Sequence, residues 1–304
     1  MRNRARWIQN VGAPWKDVTL QLDARSVKSR LQQQRFEFKY HLTEAKARRV
    51  REFVRLHLRL DEYSQLQTGW SYPTLSLYLD SDGLDTYWHT IGGCKNRFKL
   101  RLRYYDDCPE TPVFFEIKHR IKDVIFKKRG GVRKDAVRRL LAGRIPERHD
   151  LLDPDDSGAF AAVQSFCRLM VQMRASPKMH VAYLREAYEN PNDNSVRVSF
   201  DRHVESQPQS AASLIAKSPA PHVVFGEDVI LELKFTGCYP KWFHELVTTF
   251  DCWQEGAAKY AEGIYAKGED WVYRACSPEK VLDEFLSGEN YPGLFQPAQP
   301  VPDK

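Results

Sequence analysis

The 304-residue chain is long enough to bury a large core, and 42% hydrophobic with 12% aromatic content excludes a wholly disordered polymer. Its formal charge of +6 is compatible with an acidic partner, and residues 95–148 alone hold 17 Lys and Arg against 7 Asp and Glu, which leaves the rest of the chain slightly acidic. No stretch has the apolar run of a bilayer-crossing helix, and six scattered cysteines form no CxxC pair or compact metal signature. These features predict a cytoplasmic protein in a reducing setting, with a peripheral membrane or protein partner left open.

Residues 1–34 lack strong periodicity and are expected to form an arm. Regular alternation starts at Arg35: Phe36, Phe38 and Tyr40 face one way, Arg35, Glu37 and Lys39 the other. Thr43 is placed to cap a helix reaching about Leu58, with Ala47, Val50 and Val54 as its apolar stripe. Leu75, Leu77 and Leu79 mark the next strand, opposite Ser76, Tyr78 and Asp80. In the strand after it, Phe98, Leu100, Leu102 and Tyr104 oppose Arg97, Lys99, Arg101 and Arg103. A turn at 106–112 leads to Val113, Phe115 and Ile117, which alternate with Phe114, Glu116, Lys118 and Arg120.

Further strands are predicted around Val124–Arg129, Met179–Tyr188, Val196–Asp201 and Val229–Thr236. Helices are predicted over Val132–Leu141, Phe160–Met173 and Trp242–Ile264, the last with a break near Gly256. Trp242, Trp253 and Trp271 are expected to pack the C-terminal helices. Ser206–His222 and the Pro-containing end read as weakly structured, so one domain over 35–275 is expected between an arm at 1–34 and a tail at 276–304. About eight strands with inserted and flanking helices predict an α+β fold, either a barrel or a strongly curved sheet.

Arg101 and Arg103 stand two residues apart and so share a face at about 7 Å, with Lys99 extending the row. Such a row can grip successive phosphate oxygens, with Arg offering a fork of donors and Lys a compact charge. A single basic strand face is better explained by ordinary solvation. Repetition of Glu-x-Lys at Glu37 and Lys39, Glu116 and Lys118, and Glu232 and Lys234 favours faces converging on something polar.

Glu232, between Leu231 and Leu233, can ligate a hard divalent ion or simply pair with Lys234. Glu37 and Glu116 can assist at the metal or pair with basic neighbours, while Asp80 and Asp201 are weaker candidates. Lys127 and Arg129 point the same way and compete as phosphate ligands. Arg185 follows Met179, Val181 and Tyr183 on one face, where a charge demands a partner. Arg197 points with Asp201 and can pair with it. No GxxxxGK[ST], GxGxxG or HExxH motif occurs.

The ordered pieces RFEFKY (35–40), SLYLDS (76–81), FKLRLRYY (98–105), FFEIKHR (114–120), FKKR (126–129), AYLREAY (182–188), VRVSFD (196–201), LELKF (231–235) and AAKYAEGI (257–264) resemble the VTC domain. This is the polyphosphate polymerase branch of the CYTH-like triphosphate tunnel proteins. Arg35 stands where the broader superfamily often opens with ExExK, a departure that fits the VTC branch better than the small-substrate triphosphatases. The resemblance implies an antiparallel β-barrel tunnel that binds ATP beside a polyphosphate chain.

It further implies phosphate contacts from Lys39, Arg101, Arg103, Lys118, Arg185 and Lys259, with Glu232 as ligand for Mn2+ or Mg2+. Lys99, Lys127, Arg129, Arg197 and Lys234 are secondary phosphate candidates, and Glu37 and Glu116 secondary metal candidates. Transfer of the ATP γ-phosphoryl group to polyphosphate is the activity expected from the resemblance. Hydrolysis of inorganic or nucleoside triphosphates and noncatalytic polyanion binding are its competitors, and no specific nucleic-acid partner is expected.

Overall fold

A computed structural model describes residues 35–193 and 195–276. The expected arm at 1–34 and the tail from residue 277 onward lie outside the described residues. The alternating segments form β1 (Arg35–Leu42), β3 (Tyr72–Asp80), β4 (Asn96–Tyr104), β5 (Val113–Ile121), β6 (Val124–Val132), β7 (Ser176–Glu189), β8 (Val196–Pro208) and β10 (Val229–Thr236). Two short strands, β2 (Arg59–Leu60) and β9 (His222–Val223), add to the outside of β7 and β8.

All pairings are antiparallel in the order β3-β4-β5-β6-β1-β10-β8, and β7 pairs with both β8 and β3 to close an eight-stranded barrel. Ten paired positions join β7 to β8, whereas β1 meets β6 through Arg35↔Ile125. The β1–β6 seam is therefore the loosest part of the wall.

Period-2 alternation sends every second side chain outward, where helices cover the apolar half. On β3 to β6, Leu77, Leu100, Leu102, Phe115 and Ile117 pack under α4 (Lys134–Leu141) and α5 (Ser157–Gln172), which inserts Val163, Phe166 and Met170. Each such buried side chain stabilises the fold by about 1.5–3 kcal/mol. On β1, β8 and β10 a second core forms under α1 (Glu44–Arg55) and α6 (Lys241–Thr249). Ala47, Val50 and Val54 supply the α1 stripe as expected, and the Thr43 side chain accepts from Lys46 N.

Several boundaries differ from the sequence expectation. Val132 is still strand, paired with Val113, and the following helix starts at Lys134 because Arg133 N first bonds Asp150 O. β8 runs on to Pro208, since the long β7 offers backbone partners up to Met179↔Pro208. The segment from Trp242 to Ile264 is two helices: α6 ends at Thr249, residues 250–258 turn and then run without helix, and α7 begins at Lys259 (Lys259–Lys267). Trp253, in that stretch, is 78% exposed and packs no helix, whereas Trp242 stacks on His57 and Trp271 meets His222 edge-on.

Three helices went unpredicted: α2 (Glu62–Gln65), α3 (Asp85–Ile91) and α8 (Glu269–Ala275). Asp80 explains α3, because its buried carboxylate accepts from Ser81 N, Thr86 N, Thr86 Oγ1, Tyr87 N and Tyr260 Oη. Asp80 is thus a structural anchor rather than a metal ligand. Among the described residues no helix is long and apolar enough to cross a membrane.

Candidate functional site

The inward half of the alternation builds a cavity of about 660 Å3 inside the barrel. Ten cationic side chains line it (Lys39, Arg97, Lys99, Arg101, Arg103, Lys118, Arg120, Arg185, Lys234 and Lys259) against four carboxylates, Glu37, Asp123, Glu232 and Glu255. The strand register sets cations directly opposite one another: Arg97↔Arg120, Lys99↔Lys118 and Lys118↔Lys127. Like charges opposed across antiparallel strands repel, a cost that Glu37 beside Lys118 and Glu116 beside Lys127 offset in part.

One end of the cavity is walled by apolar packing. Tyr260, Ala261 and Ile264 of α7 press on Tyr78, Met179, Val181 and Ile230. The 250–258 segment reaches this wall through a strap tied to β1: Tyr40 bridges Gln254, Glu255 N bonds Lys39 O, and Lys39 Nζ donates to Ala257 O at 2.7 Å. The strap delivers Lys259 to the interior, 7% exposed, where it sits 2.6 Å from Asp201 and 3.1 Å from Glu232.

Glu232 is the electrostatic hub. Lys234 (2.5 Å), Lys259 (3.1 Å), Arg185 (3.1 Å) and Lys39 (3.5 Å) surround its carboxylate. Burial works against its charge, yet these cations, Lys234 foremost, hold its pKa well below the usual carboxylate range. Glu37 lies 3.0 Å from Lys118 and 3.4 Å from Lys39; burial opposes its charge as well, and Lys118 with Lys39 keeps it ionised. Asp201 receives Arg185 through two bonds of 2.7 and 2.8 Å, which answers the demand raised by a charge on the Tyr183 face.

Three of the cavity cations form no ion pair with a carboxylate among the described residues: Arg97, which donates to Cys94 O, Arg103 and Lys99. Arg103 is 4% exposed, donates from Nη1 to Tyr183 Oη at 2.9 Å, and has an Nε without a partner. Lys99 rests over the Tyr260 ring at 5.7 Å; burial first, then Lys39, Lys118 and Arg97, lowers its pKa to about 8. Burial lowers Lys234 to about 7 although Glu232 opposes the shift. Tyr78 moves the other way for a phenol: burial would raise it, but Arg101, Arg103 and Lys99 pull it down to about 7.

The predicted phosphate ligands Lys39, Arg101, Arg103, Lys118, Arg185, Lys259, Lys99 and Lys234 all line the cavity. Lys127, Arg129 and Arg197 do not. Lys127 and Arg129 stand 3.6 and 3.5 Å from Glu116 at one end of the barrel, and Arg197 pairs with Asp61 and Glu189 rather than with Asp201. Arg197 differs because β8 and β7 are in register Glu189↔Arg197, which sets it opposite an acid four residues along from Arg185 and beside Asp61.

Sequence reasoning passed over Tyr183 and Tyr78. Tyr183 lies under Lys259 at 4.8 Å, Arg185 at 5.2 Å and Arg103 at 5.6 Å, a cation–π hub that reads in sequence as one more apolar letter. Its only signal was shared parity with Arg185.

Among the described residues no group of three or more His, Cys, Asp or Glu converges on a metal position. Of the expected carboxylates Glu232, Glu37 and Glu116, the last takes the ion-pairing alternative. Glu116 is held by Arg101 at 2.7 Å and serves as counter-ion to Arg101, Lys127 and Arg129. Glu37 and Glu232 share Lys39 between them, and Mg2+ in phosphoryl-transfer sites takes one or two carboxylates plus substrate oxygens. Glu37 and Glu232 are thus the two carboxylates of that set brought to a common cation, Lys39, inside the cavity.

Comparison with known proteins agrees with this architecture. Residues 34–266 match the VTC domain. The vacuolar transporter chaperone complex subunit 2 of Schizosaccharomyces pombe is 26% identical over 133 residues, 41% of this chain and 18% of that protein, so the match spans less than a fifth of that relative's length. Among solved structures, a candidate adenylate cyclase from Bacillus halodurans aligns with 73% of this chain and 92% of its own at 12% identity and a TM-score of 0.42. A candidate adenylyl cyclase from Hippeastrum, described as having a dominant triphosphatase activity, aligns with 76% and 96% at 12% identity and a TM-score of 0.41. At those scores neither likeness bears on the chemistry. With its family match covering the whole barrel, the chain belongs to the VTC domain family, on a closed antiparallel barrel of the triphosphate-tunnel type.

Proposed function

We propose that the barrel binds a linear triphosphate, inorganic or carried by a nucleoside such as ATP, and transfers its terminal phosphoryl group to water. The observation that carries this reading is Arg103: a buried guanidinium with no carboxylate partner among the described residues, at the inner end of the row Arg97, Lys99, Arg101 and Arg103, whose first two members face cations on β5. An arrangement that costs stability in the free protein is relieved by a ligand of several closely spaced negative charges.

Lys39, Lys99, Arg101 and Lys118 would hold the chain along the β1, β4 and β5 walls. Arg103, Arg185 and Lys234 would take the charge that develops on the terminal group and on the bridging oxygen. Glu37 and Glu232 would hold Mg2+ or Mn2+, whose contribution when bound is to neutralise phosphate oxygens. The carboxylates are too well paired to act as bases, Glu37 and Glu116 both being held well below the usual range against the effect of burial. Lys234 and Tyr78, each moved to about 7, are the interior groups able to exchange a proton near neutrality.

A second reading, transfer to the end of a polyphosphate chain with release of ADP, is favoured by membership in the VTC family. Incubation with ATP or tripolyphosphate and a divalent metal, followed by separation by chain length, distinguishes them. Orthophosphate with the shortened donor supports hydrolysis, a ladder of longer chains replaces it with polymerisation, and an unconsumed donor under varied metal defeats both.

A further inference from the structure

Along β1 the cavity is closed by a segment that belongs to neither a strand nor a helix. β6 meets β1 at Arg35↔Ile125, and beyond that point the edge of β1 facing away from β10 is taken by residues 250–258. Gln254 to Ala258 line the cavity, so this strap is part of its wall. Its backbone is tied where Tyr40 bridges Gln254 and where Glu255 N donates to Lys39 O at 3.0 Å. Lys46 Nζ donates to Asp251 O at 3.0 Å and Lys39 Nζ to Ala257 O at 2.7 Å. Asp251, Trp253, Gln254, Glu255 and Gly256 are all exposed. With so little apolar burial at its middle, the strap depends on these polar ties, and each one weighs on how often it opens.

One further tie differs in kind. His41 follows Lys39 by two residues on β1 and pairs with Ile230, so it stands beside the turn that leads into β10. That turn, closed by Asp228 N on Phe225 O at 3.1 Å, sets the Phe225 ring edge-on to the imidazole at 5.2 Å. His41 Nδ1 lies 3.3 Å from Asp228 Oδ2, and Nε2 lies 3.3 Å from Gly256 O. A carboxylate and a backbone carbonyl only accept, whereas a neutral imidazole has a single N–H. Both contacts are hydrogen bonds only when the ring carries two protons. On a neutral ring the remaining proton goes to the carboxylate, the stronger acceptor, and Nε2 then turns a lone pair on Gly256 O. The other charged groups around the ring are Glu262 of α7, which also interacts with Lys39, Lys99 and Glu255, and Lys39 itself on β1.

We propose that His41 is a proton-operated latch on the cavity wall: its imidazolium joins Asp228 to Gly256 and holds the strap shut, and loss of one proton releases Gly256. The latch acts fully at low pH, where the ring carries both protons. It is lost as pH rises through about 5 to 8, the range in which imidazole side chains change charge. The ties from Lys39, Lys46 and the backbone remain, so the strap loosens while α7 keeps its seat through the buried Tyr260, Ala261 and Ile264. The loosened wall lies beside β1, where Phe36, Phe38 and Ile125 also reach the cavity lining. Access from that side thereby becomes pH-dependent, whatever the cavity binds and whichever reaction it carries out.

Amide hydrogen exchange of the full, ligand-free chain tests the latch, with rates corrected for the intrinsic effect of pH. The Glu255 amide is the reporter, since its bond to Lys39 O ties the middle of the strap. Its protection should fall about 3- to 10-fold between roughly pH 5 and 8, the worth of one hydrogen bond, while the Leu231 amide in β10 stays constant. Asp228→Asn should keep the strap protected at every pH. Its side-chain amide can donate to Nδ1, so a neutral ring still gives its one N–H to Gly256 O. His41→Phe keeps the contact with Phe225 and loses both nitrogens, so protection should rest at the low level at every pH. Melting curves confirm that both variants are folded, and the wild-type titration decides without them. Constant Glu255 protection across the range rejects the latch. A wild-type fall that persists in Asp228→Asn, or in His41→Phe, assigns the pH response to another group and rejects His41.

Discussion

The chemistry of the site is a matter of which charges each residue sees. Glu232 sits among four cations, so Glu232→Gln removes the proposed metal ligand and leaves Lys39, Lys234, Lys259 and Arg185 with less opposing charge. Turnover should fall about 100-fold, in the range for loss of one electrostatic element of a transition-state site, while metal-free tripolyphosphate binding holds or tightens. Parallel rate and binding measurements on a variant with an unchanged melting curve decide it; equal losses in both would remove Glu232 from the transition state.

The lowered lysines make a second residue-scale prediction. Lys234 and Lys99 lie at about 7 and about 8 in the free protein, burial being the first cause of each, and a bound polyanion raises both. A group whose pKa rises on binding supports binding fully below its free value and loses that support as pH climbs through the bound value. Affinity for tripolyphosphate should therefore decline above pH 7 to 8, with proton uptake on binding at pH 8. Binding heats in two buffers of different ionisation enthalpy should differ at that pH; identical heats would show that neither lysine changes charge.

At the scale of elements, the tunnel wall depends on how closely helices approach the strands. Gly130 lies on the outer face of β6 opposite Phe115, and a Cβ there would come within 2.5 Å of Ala159 O and Val163 Cγ2 of α5. Only a residue without Cβ lets the helix backbone settle on the sheet at that point. Gly130→Ala should cost about 1–3 kcal/mol through overpacking, read from urea unfolding midpoints. A neutral result would mean that α5 shifts freely, against the packing of Phe166 on Phe115 at 4.8 Å.

For the whole molecule, the proposed function predicts that a polyanion bound among the opposed cations stabilises the fold. With the metal chelated, tripolyphosphate at about 100 times its Kd should stabilise the fold by about 2.7 kcal/mol, since it binds the closed barrel and not the unfolded chain. The rise in Tm should exceed that from orthophosphate at equal concentration, which cannot bridge Lys99, Arg101 and Arg103 together. Equal effects of the two anions would reduce the barrel to a nonspecific anion binder.

Period-2 alternation, a local property, determined the strands and which side chains share a face: Glu37 with Lys39, the row from Arg97 to Arg103, Glu116 with Lys118, and Glu232 with Lys234. It determined equally the apolar face that the helices cover, because burial of Leu100 or Phe115 needs no knowledge of distant partners. Whether the polar face would meet solvent or a tunnel was not in the alternation, which is identical for an open sheet. That was decided by closure, through β7 pairing with both β3 and β8. Closure and register also separated residues that look alike in sequence: Lys234 lines the cavity while Arg197, directly opposite it, is taken by Asp61 and Glu189, and Glu116 became a counter-ion while Glu232 became the hub. Partners 136 and 27 residues apart set those roles, as with Arg197 and Asp61 or Lys259 and Glu232, and only the tertiary structure brings them within hydrogen-bonding range.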